Sequence, residues 1–264
     1  MTAQEVVDRI KKNLGVPWNE TTYRDTFKAG GPETEVKGIA TTFMATLDLL
    51  QRAHAAGLNF VITHEPTYWS DTDAVKDIAA DPIYQFKADF CKKNNLAVWR
   101  FHDHIHARHP DLIWVGLARA LNWSDRETAN QRKFSIPPTT LGGLAADIQR
   151  VMKTRALRVV GDPTMKVSTV AVGMGYGMPR LTPDIDVAIG GENPEAGNPF
   201  DDTEYVLDAA SLGIPKGQIV LGHAISEEPG MEDCANWLRT FVTEVPIQFV
   251  RAGEPFWSPK AGQA

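Results

Sequence analysis

The sequence predicts an α/β layered fold. Short apolar runs rich in β-branched residues, "NFVIT" (59–63), "LAVWRF" (96–101) and "QIVLGH" (218–223), alternate with longer stretches of helical spacing. The helical stretches carry cap signals at their ends, and a polar segment closed by Pro137-Pro138 interrupts the series near its middle. Alternation of this kind favours helices layered on sheets.

The elements follow in order. Val6, Val7, Ile10 and Leu14 share a helical face over 3–14, with Gly15 as a terminator. "VKGIATTF" (36–43) has strand character, and 45–57 reads as a helix closed by Gly57. The strand 59–63 comes next. Asp81-Pro82 is an N-cap followed by proline at the first helical position, opening a helix to about Asn95. After the strand 96–101, His109-Pro110 opens a helix to about Leu121. The stretch 122–138 reads as a linker or domain boundary. A second series follows: a helix at 139–152, strands in "LRVVG", "VSTVAVGMG" and "DIDVAIGGE", a helix at 203–213, the strand 218–223, and a helix at 229–241 with Pro229 in its first turn.

Composition removes some classes of function. The chain has 264 residues and a net charge of −6, which gives no electrostatic reason to expect a nucleic acid or an anionic membrane. No apolar run approaches the length of a membrane helix, and the charged, amphipathic N-terminus lacks the apolar core of a signal peptide. Two cysteines, Cys91 and Cys234, imply no disulfide framework. The expectation is a cytoplasmic protein with two packed thiols.

Three predicted strands end in metal-competent side chains. The first ends at His64-Glu65. The second runs into "HDHIHARH", which holds His102, Asp103, His104, His106 and His109. The third ends at His223, followed by Glu227-Glu228. Six of the seven histidines lie in these places, and ligands of α/β sheets sit beyond the carboxyl ends of strands. If the second strand continues through its cluster, alternation puts His102, His104 and His106 on one face. Pro229 places the start of the last helix after Glu227, so His223 is expected at a strand end and Glu227 in a turn. Imidazole with carboxylate suits Zn, Mn, Fe or Co, and the absence of nearby cysteine excludes a closed cysteine-type zinc site. The donors exceed what one tetrahedral ion needs, which suggests two ions sharing a carboxylate. Glu192, after Gly190-Gly191, is a candidate for the same cleft. "VGMGYGM" (172–178) fails the GxGxxG spacing and reads as a glycine-rich turn.

The order "VKGIATTFMATLDLLQRAHAAGLNFVITHEP", "HDHIHA", "VAIGGE" and "GHAISEEPGMEDCANWLRTF" resembles the Nif-three-like family over most of the chain. Its members are also called dinuclear-metal-centre hexameric proteins, and some carry the description GTP cyclohydrolase one type two. The resemblance implies two related α/β domains, the second inserted in the first, at 1–122 plus 219–264 and at 123–218. It also implies a two-metal site in the inner cavity of a toroidal homohexamer; with two departures from the family's ligand set, the expectation for this chain is one or two divalent transition-metal ions. Position by position, it implies His64, Glu65, His106, His223 and Glu227 as ligands. Glu65 stands where the family has a second histidine, and His106 where it has an aspartate. The exchange keeps three imidazoles and two carboxylates, but an imidazole with one free lone pair cannot bridge two ions.

The expected function is metal-dependent hydrolysis of a small substrate of unknown identity, a nucleotide among the candidates. Asp103 or Glu192 would carry the proton. A non-catalytic, metal-stabilised scaffold or regulatory binding protein is the alternative. An amidohydrolase-like enzyme built on "HDHIH" would need more strands.

Overall fold

The structure is a computed structural model that describes residues 1–126, 132–193, 195 and 202–258. The chain divides into two compact units, Met1–Gly116 with Gly230–Ala252, and Leu117–Pro229 with the residues from Gly253 on. Each holds one five-stranded sheet, so the expected α/β class is observed.

The first unit contains α1 (Ala3–Asn13), β1 (Phe27–Ala29), β2 (Ile39–Thr42), α2 (Leu47–Ala55), β3 (Phe60–Thr63), α3 (Pro82–Lys93), β4 (Ala97–Arg100) and α4 (Asp103–Ala107); α5 (Leu112–Ala120) begins in it. The helix starts follow local chemistry. Thr2 and Glu5 form a capping box on α1, Thr46 caps α2, and Asp81 caps α3 ahead of Pro82. Strand order is β1-β4-β3-β2-β10, where β10 is Ile247–Phe249. Only β1 is antiparallel to its neighbour. β2, β3 and β4 are buried throughout, as expected of parallel strands covered on both faces. Leu49, Leu50 and Ala53 of α2 pack with Val61 and Val98 of the sheet in one apolar cluster.

The second unit contains β5 (Lys133–Thr140), α6 (Leu141–Met152), β6 (Arg158–Val160), β7 (Lys166–Val172), β8 (Val187–Gly190), α7 (Asp202–Ser211) and β9 (Gly217–Val220); α8 (His223–Leu238) begins in it. Its sheet runs β5-β7-β8-β9-β6, with a parallel centre and antiparallel edges. Among the described residues no helix is long and apolar enough to cross a membrane.

The expected linker at 122–138 needs correction at its end. Residues 127–131 lie outside the described ones, but from Lys133 the chain is an edge strand. Phe134 and Ile136 point inward, and the register shifts between Ser135 and Thr139, around Pro137-Pro138. Proline is tolerated there because an edge strand can leave amides unpaired.

Candidate metal centre

β3 and β4 are parallel neighbours with Thr63 opposite Arg100, so two of the histidine clusters leave the sheet side by side. Hydrogen bonds to β2 and the residue beyond it hold His64 and Glu65: the His64 amide donates to Thr42 at 3.0 Å and the Glu65 amide to Phe43 at 2.8 Å. The second cluster does not continue as a strand. β4 ends at Arg100, and residues 103–107 form α4. The cause is Asp25. Its carboxylate accepts the amides of His102, Asp103 and His104 at 2.6, 3.0 and 2.9 Å, the hydrogen bonds a helix start requires.

The helical turn re-sorts the histidines. His102 and His106, four apart, meet on one side, and His104 points away. The His104 ring stacks on Trp18 with centroids 3.7 Å apart, its Nδ1 lies 2.5 Å from Asp25, and its Nε2 accepts the Asn19 amide at 2.8 Å. The alternating face expected from the sequence is thus replaced by His64, His102 and His106. Their ring centroids lie 4.6 to 5.0 Å apart. One ligand nitrogen from each falls within 4.8 Å of the others.

Each ring is held by its Nδ1. His64 Nδ1 lies 3.1 Å from the Phe101 carbonyl oxygen, His102 Nδ1 3.1 Å from Asp103 Oδ1, and His106 Nδ1 3.0 Å from Asp111 Oδ2. An oxygen acceptor at Nδ1 places the hydrogen there and presents Nε2 as the donor to an ion. Burial, reinforced by His64 and His106, lowers His102 to about 4, which keeps it neutral. The donor set therefore suits a divalent transition ion.

Glu65 borders this cluster. Its Oε1 is 3.9 Å from His102 Nε2, and its Oε2 is 3.1 Å from Arg100 Nη2. Arg100 is 1% exposed and also reaches Asp71 Oδ1 at 3.1 Å. Asp71 pairs with Arg24 at 2.6 Å, Arg24 with Asp103 at 3.3 Å, and Asp103 with His102 at 3.1 Å. A closed ring of three carboxylates, two guanidiniums and one imidazole results. Hydrogen bonds from Arg24, Tyr23 and Arg100 hold Asp71 well below the usual carboxylate range despite partial burial. Burial pushes Asp103 up, but Thr22, His102 and Arg24 outweigh it and hold its pKa low. Asp103, expected to carry protons, stands behind His102 and takes the Thr22 hydroxyl at 2.7 Å.

In the second unit His223 follows the end of β9 and is the first residue of α8. The expected turn at Glu227, ahead of this helix, is not observed. The helix instead starts six residues before Pro229 and carries the proline inside it. The imide removes one donor without ending the helix. His223 and Glu227 therefore share a helical face, with Nε2 and Oε2 2.9 Å apart. The glycine-rich turn packs on this pair. Gly175 has φ +58°, and a Cβ there would lie 2.3 Å from Glu227 Oε1. The Gly175 amide donates to Ser226 Oγ at 3.0 Å, and the Glu192 amide to the Gly175 carbonyl at 2.7 Å. The exposed Tyr176 ring stands edge-on to His223, with centroids 4.6 Å apart.

The comparisons agree with this architecture. The family model Duf34/NIF3 (NGG1p interacting factor 3) matches residues 1–255. The chain belongs to the Duf34/NIF3 family. Among solved structures, this NIF3-family chain is similar to the Staphylococcus aureus protein SA1388, with a TM-score of 0.73 and 15% identity over 98% of this chain and 99% of the other. It is similar to a Bacillus cereus protein related to NIF3, with a TM-score of 0.70 and 16% identity over 98% and 99%. It is also similar to TTHA1606 from Thermus thermophilus, with a TM-score of 0.63 and 14% identity over 97% and 99%. At these identities the likeness speaks for the fold. No curated protein matches the chain.

The sequence assigns no role to Asp25, Asp111 or Arg100, and it does not single out His102 as a ligand. His102 and His106 are spaced for a helix as well as for a strand face. Arg100 does carry a signal, since an arginine inside an apolar strand needs a buried carboxylate partner.

Proposed function

We propose that this NIF3-family chain is a metal-dependent enzyme of hydrolase type, with a divalent ion held by His64, His102 and His106. The observation that carries the reading is the anchoring of all three imidazoles through Nδ1, which turns Nε2 of each toward an ion. Glu65 is the adjacent carboxylate, and His223 and Glu227, a donor pair within the second unit, are likewise proposed as metal ligands. When bound, the ion supplies an activated water and polarises the bond to be cut.

The chain's own residues do the rest. Asp103, with Arg24 and Thr22 behind it, orients His102 and keeps its hydrogen at Nδ1. Asp25 holds the start of α4 so that His102 and His106 face the same way. Glu192 is proposed to accept the substrate proton. The substrate is a small molecule with a hydrolysable bond, and nucleotides head the test panel. A homohexamer belongs to the same proposal and is checked by light scattering.

The test is turnover of nucleotides and generic phosphoesters with Mn or Zn, before and after chelation. Activity that is lost on chelation, restored by metal and absent in His64→Ala supports the reading. Full turnover by metal-free protein overturns it. Chelation that lowers the melting temperature, with no substrate ever turned over, would assign the ion to a scaffold instead.

A further inference from the structure

We infer that the first unit carries a small-molecule site apart from the metal centre, a cleft at the start of β4 that takes an uncharged ligand by its carbonyl oxygen through the Tyr68 hydroxyl. The cleft has a volume of about 770 Å³ and lies between the loop after β1 and the last turns of α3. The histidines gather beyond the other end of β4, four residues away or about 13 Å along the strand. Local sequence opens the cleft. Gly30 has φ +65°, and a Cβ there would lie 2.6 Å from the Leu96 carbonyl oxygen, so glycine lets the loop pass the start of β4. At Gly31, beyond its chain neighbours, no atom lies within 4 Å of the place a Cβ would take. The loop is pinned to α1, where the Ala3 amide donates to the Thr34 carbonyl at 2.9 Å and the Gln4 amide to the Pro32 carbonyl at 3.0 Å. Amides at a helix start have no partner within the helix, so these bonds are made outside it and hold the wall in place. The cleft is thus formed before any ligand arrives.

Tyr68 stands in this cleft with an unused hydrogen-bond donor. The residue is 5% exposed, and its ring meets Tyr84 edge-on with centroids 5.1 Å apart. Asp73 fixes its backbone by accepting the amides of Thr67 and Tyr68, each at 2.7 Å. The hydroxyl has no hydrogen-bond partner among the described residues, yet its oxygen keeps an opening, and that opening is the cleft. A buried tyrosine hydroxyl normally finds a partner. Burial pushes this phenol's pKa up, so it keeps its proton and donates. The lining around it, Ala29, Ala88, Cys91 and Leu96, is small or apolar and brings no cation. Lys87 Nζ is 5.6 Å from the Tyr68 ring centroid but donates to the Thr67 carbonyl. Lys92 stands on the exposed rim together with two carboxylates, Glu33 and Glu35. A carboxylate or phosphate entering here would give up its hydration for one neutral hydrogen bond. A carbonyl oxygen on an apolar body gives up far less and gains the same bond.

The experiment titrates the full chain, stripped with chelator so that the metal centre takes no part, with benzamide and nicotinamide and follows binding by saturation-transfer NMR. Benzoate and nicotinate, which have the same shapes and a carboxylate in place of the amide, are the controls. Both amides should bind saturably, and the two carboxylates about tenfold more weakly or not at all. Tyr68→Phe keeps the ring and loses only the hydroxyl. Its melting temperature should match wild type, because no hydrogen bond within the protein is lost, while amide binding should weaken about fivefold, the worth of one hydrogen bond. Gly31→Leu places a side chain in the open space of the cleft and should abolish binding. If that variant does not fold, Tyr68→Phe still decides the matter. Absence of saturable binding by either amide would overturn the inference, as would equal binding of the carboxylates or unchanged amide binding in Tyr68→Phe or in folded Gly31→Leu.

Discussion

His106 Nδ1 lies 3.0 Å from Oδ2 of Asp111, and the same aspartate caps the next helix through the amides of Ile113 at 2.8 Å and Trp114 at 3.3 Å. One carboxylate thus fixes both the start of α5 and the orientation of a proposed ligand. Asp111→Ala should weaken metal binding about 10- to 100-fold, the usual effect of removing a ligand's hydrogen-bond partner. It should also cost about 1 kcal/mol of stability through the lost cap. Asp111→Asn keeps the acceptor, so its melting temperature should stay near wild type. Titration calorimetry and thermal melts separate the two effects.

Asp25 does similar work for α4. It accepts three amides and lies 2.5 Å from His104 Nδ1. Asp25→Ala leaves these donors buried, and a loss on the order of 3 kcal/mol is expected. Because His104 stacks on Trp18, tryptophan emission should shift with it. Wild-type emission together with wild-type stability in Asp25→Ala would show that α4 forms without this carboxylate.

Gly175 is required by space and by backbone. Its φ is +58°, and an added Cβ would meet Glu227 Oε1 at 2.3 Å. Gly175→Ala should push the His223–Glu227 pair apart and destabilise the protein by about 1–3 kcal/mol. Gly213 has φ +70° with nothing near its Cβ, so Gly213→Ala should show the backbone penalty alone. Equal losses in the two variants would contradict the packing argument.

Lys87 sets a pH dependence. It is 4% exposed, donates to the Thr67 carbonyl at 2.5 Å, and burial lowers it from 10.5 to about 8. The unfolded chain therefore holds more protons between pH 8 and 10.5, and stability rises with pH across that window. Below pH 8 the charged form carries a penalty of about 3 kcal/mol. Lys87→Met should be more stable than wild type at pH 7, and its advantage should shrink toward pH 10. Denaturant unfolding of both proteins at the two pH values checks this. An advantage that grows with pH would reverse the assignment.

The legible parts of the sequence are those where local chemistry and tertiary structure agree. Asp81-Pro82, the apolar strand at 59–63 and the helix ending at Gly57 lie close to their expected places. The histidine clusters are legible because metal-competent residues at strand ends are unusual. Their internal geometry is not. "HDHIH" suits a strand or a helix, and Asp25, 77 residues before His102, selects the helix. Pro229 suggests a late helix start, but α8 begins at His223 and absorbs it. β1 and β10 are three-residue strands, too short for a periodic signal, and they depend on β4 and β2 for their pairing.

The most direct test of the metal centre is the ion content of chelated and reloaded protein, compared between wild type and His106→Ala after gel filtration. The account predicts a bound divalent ion in the wild-type chain and its loss, by a hundredfold or more in affinity, in the variant. Equal retention by both, with His106→Ala folded, would contradict it.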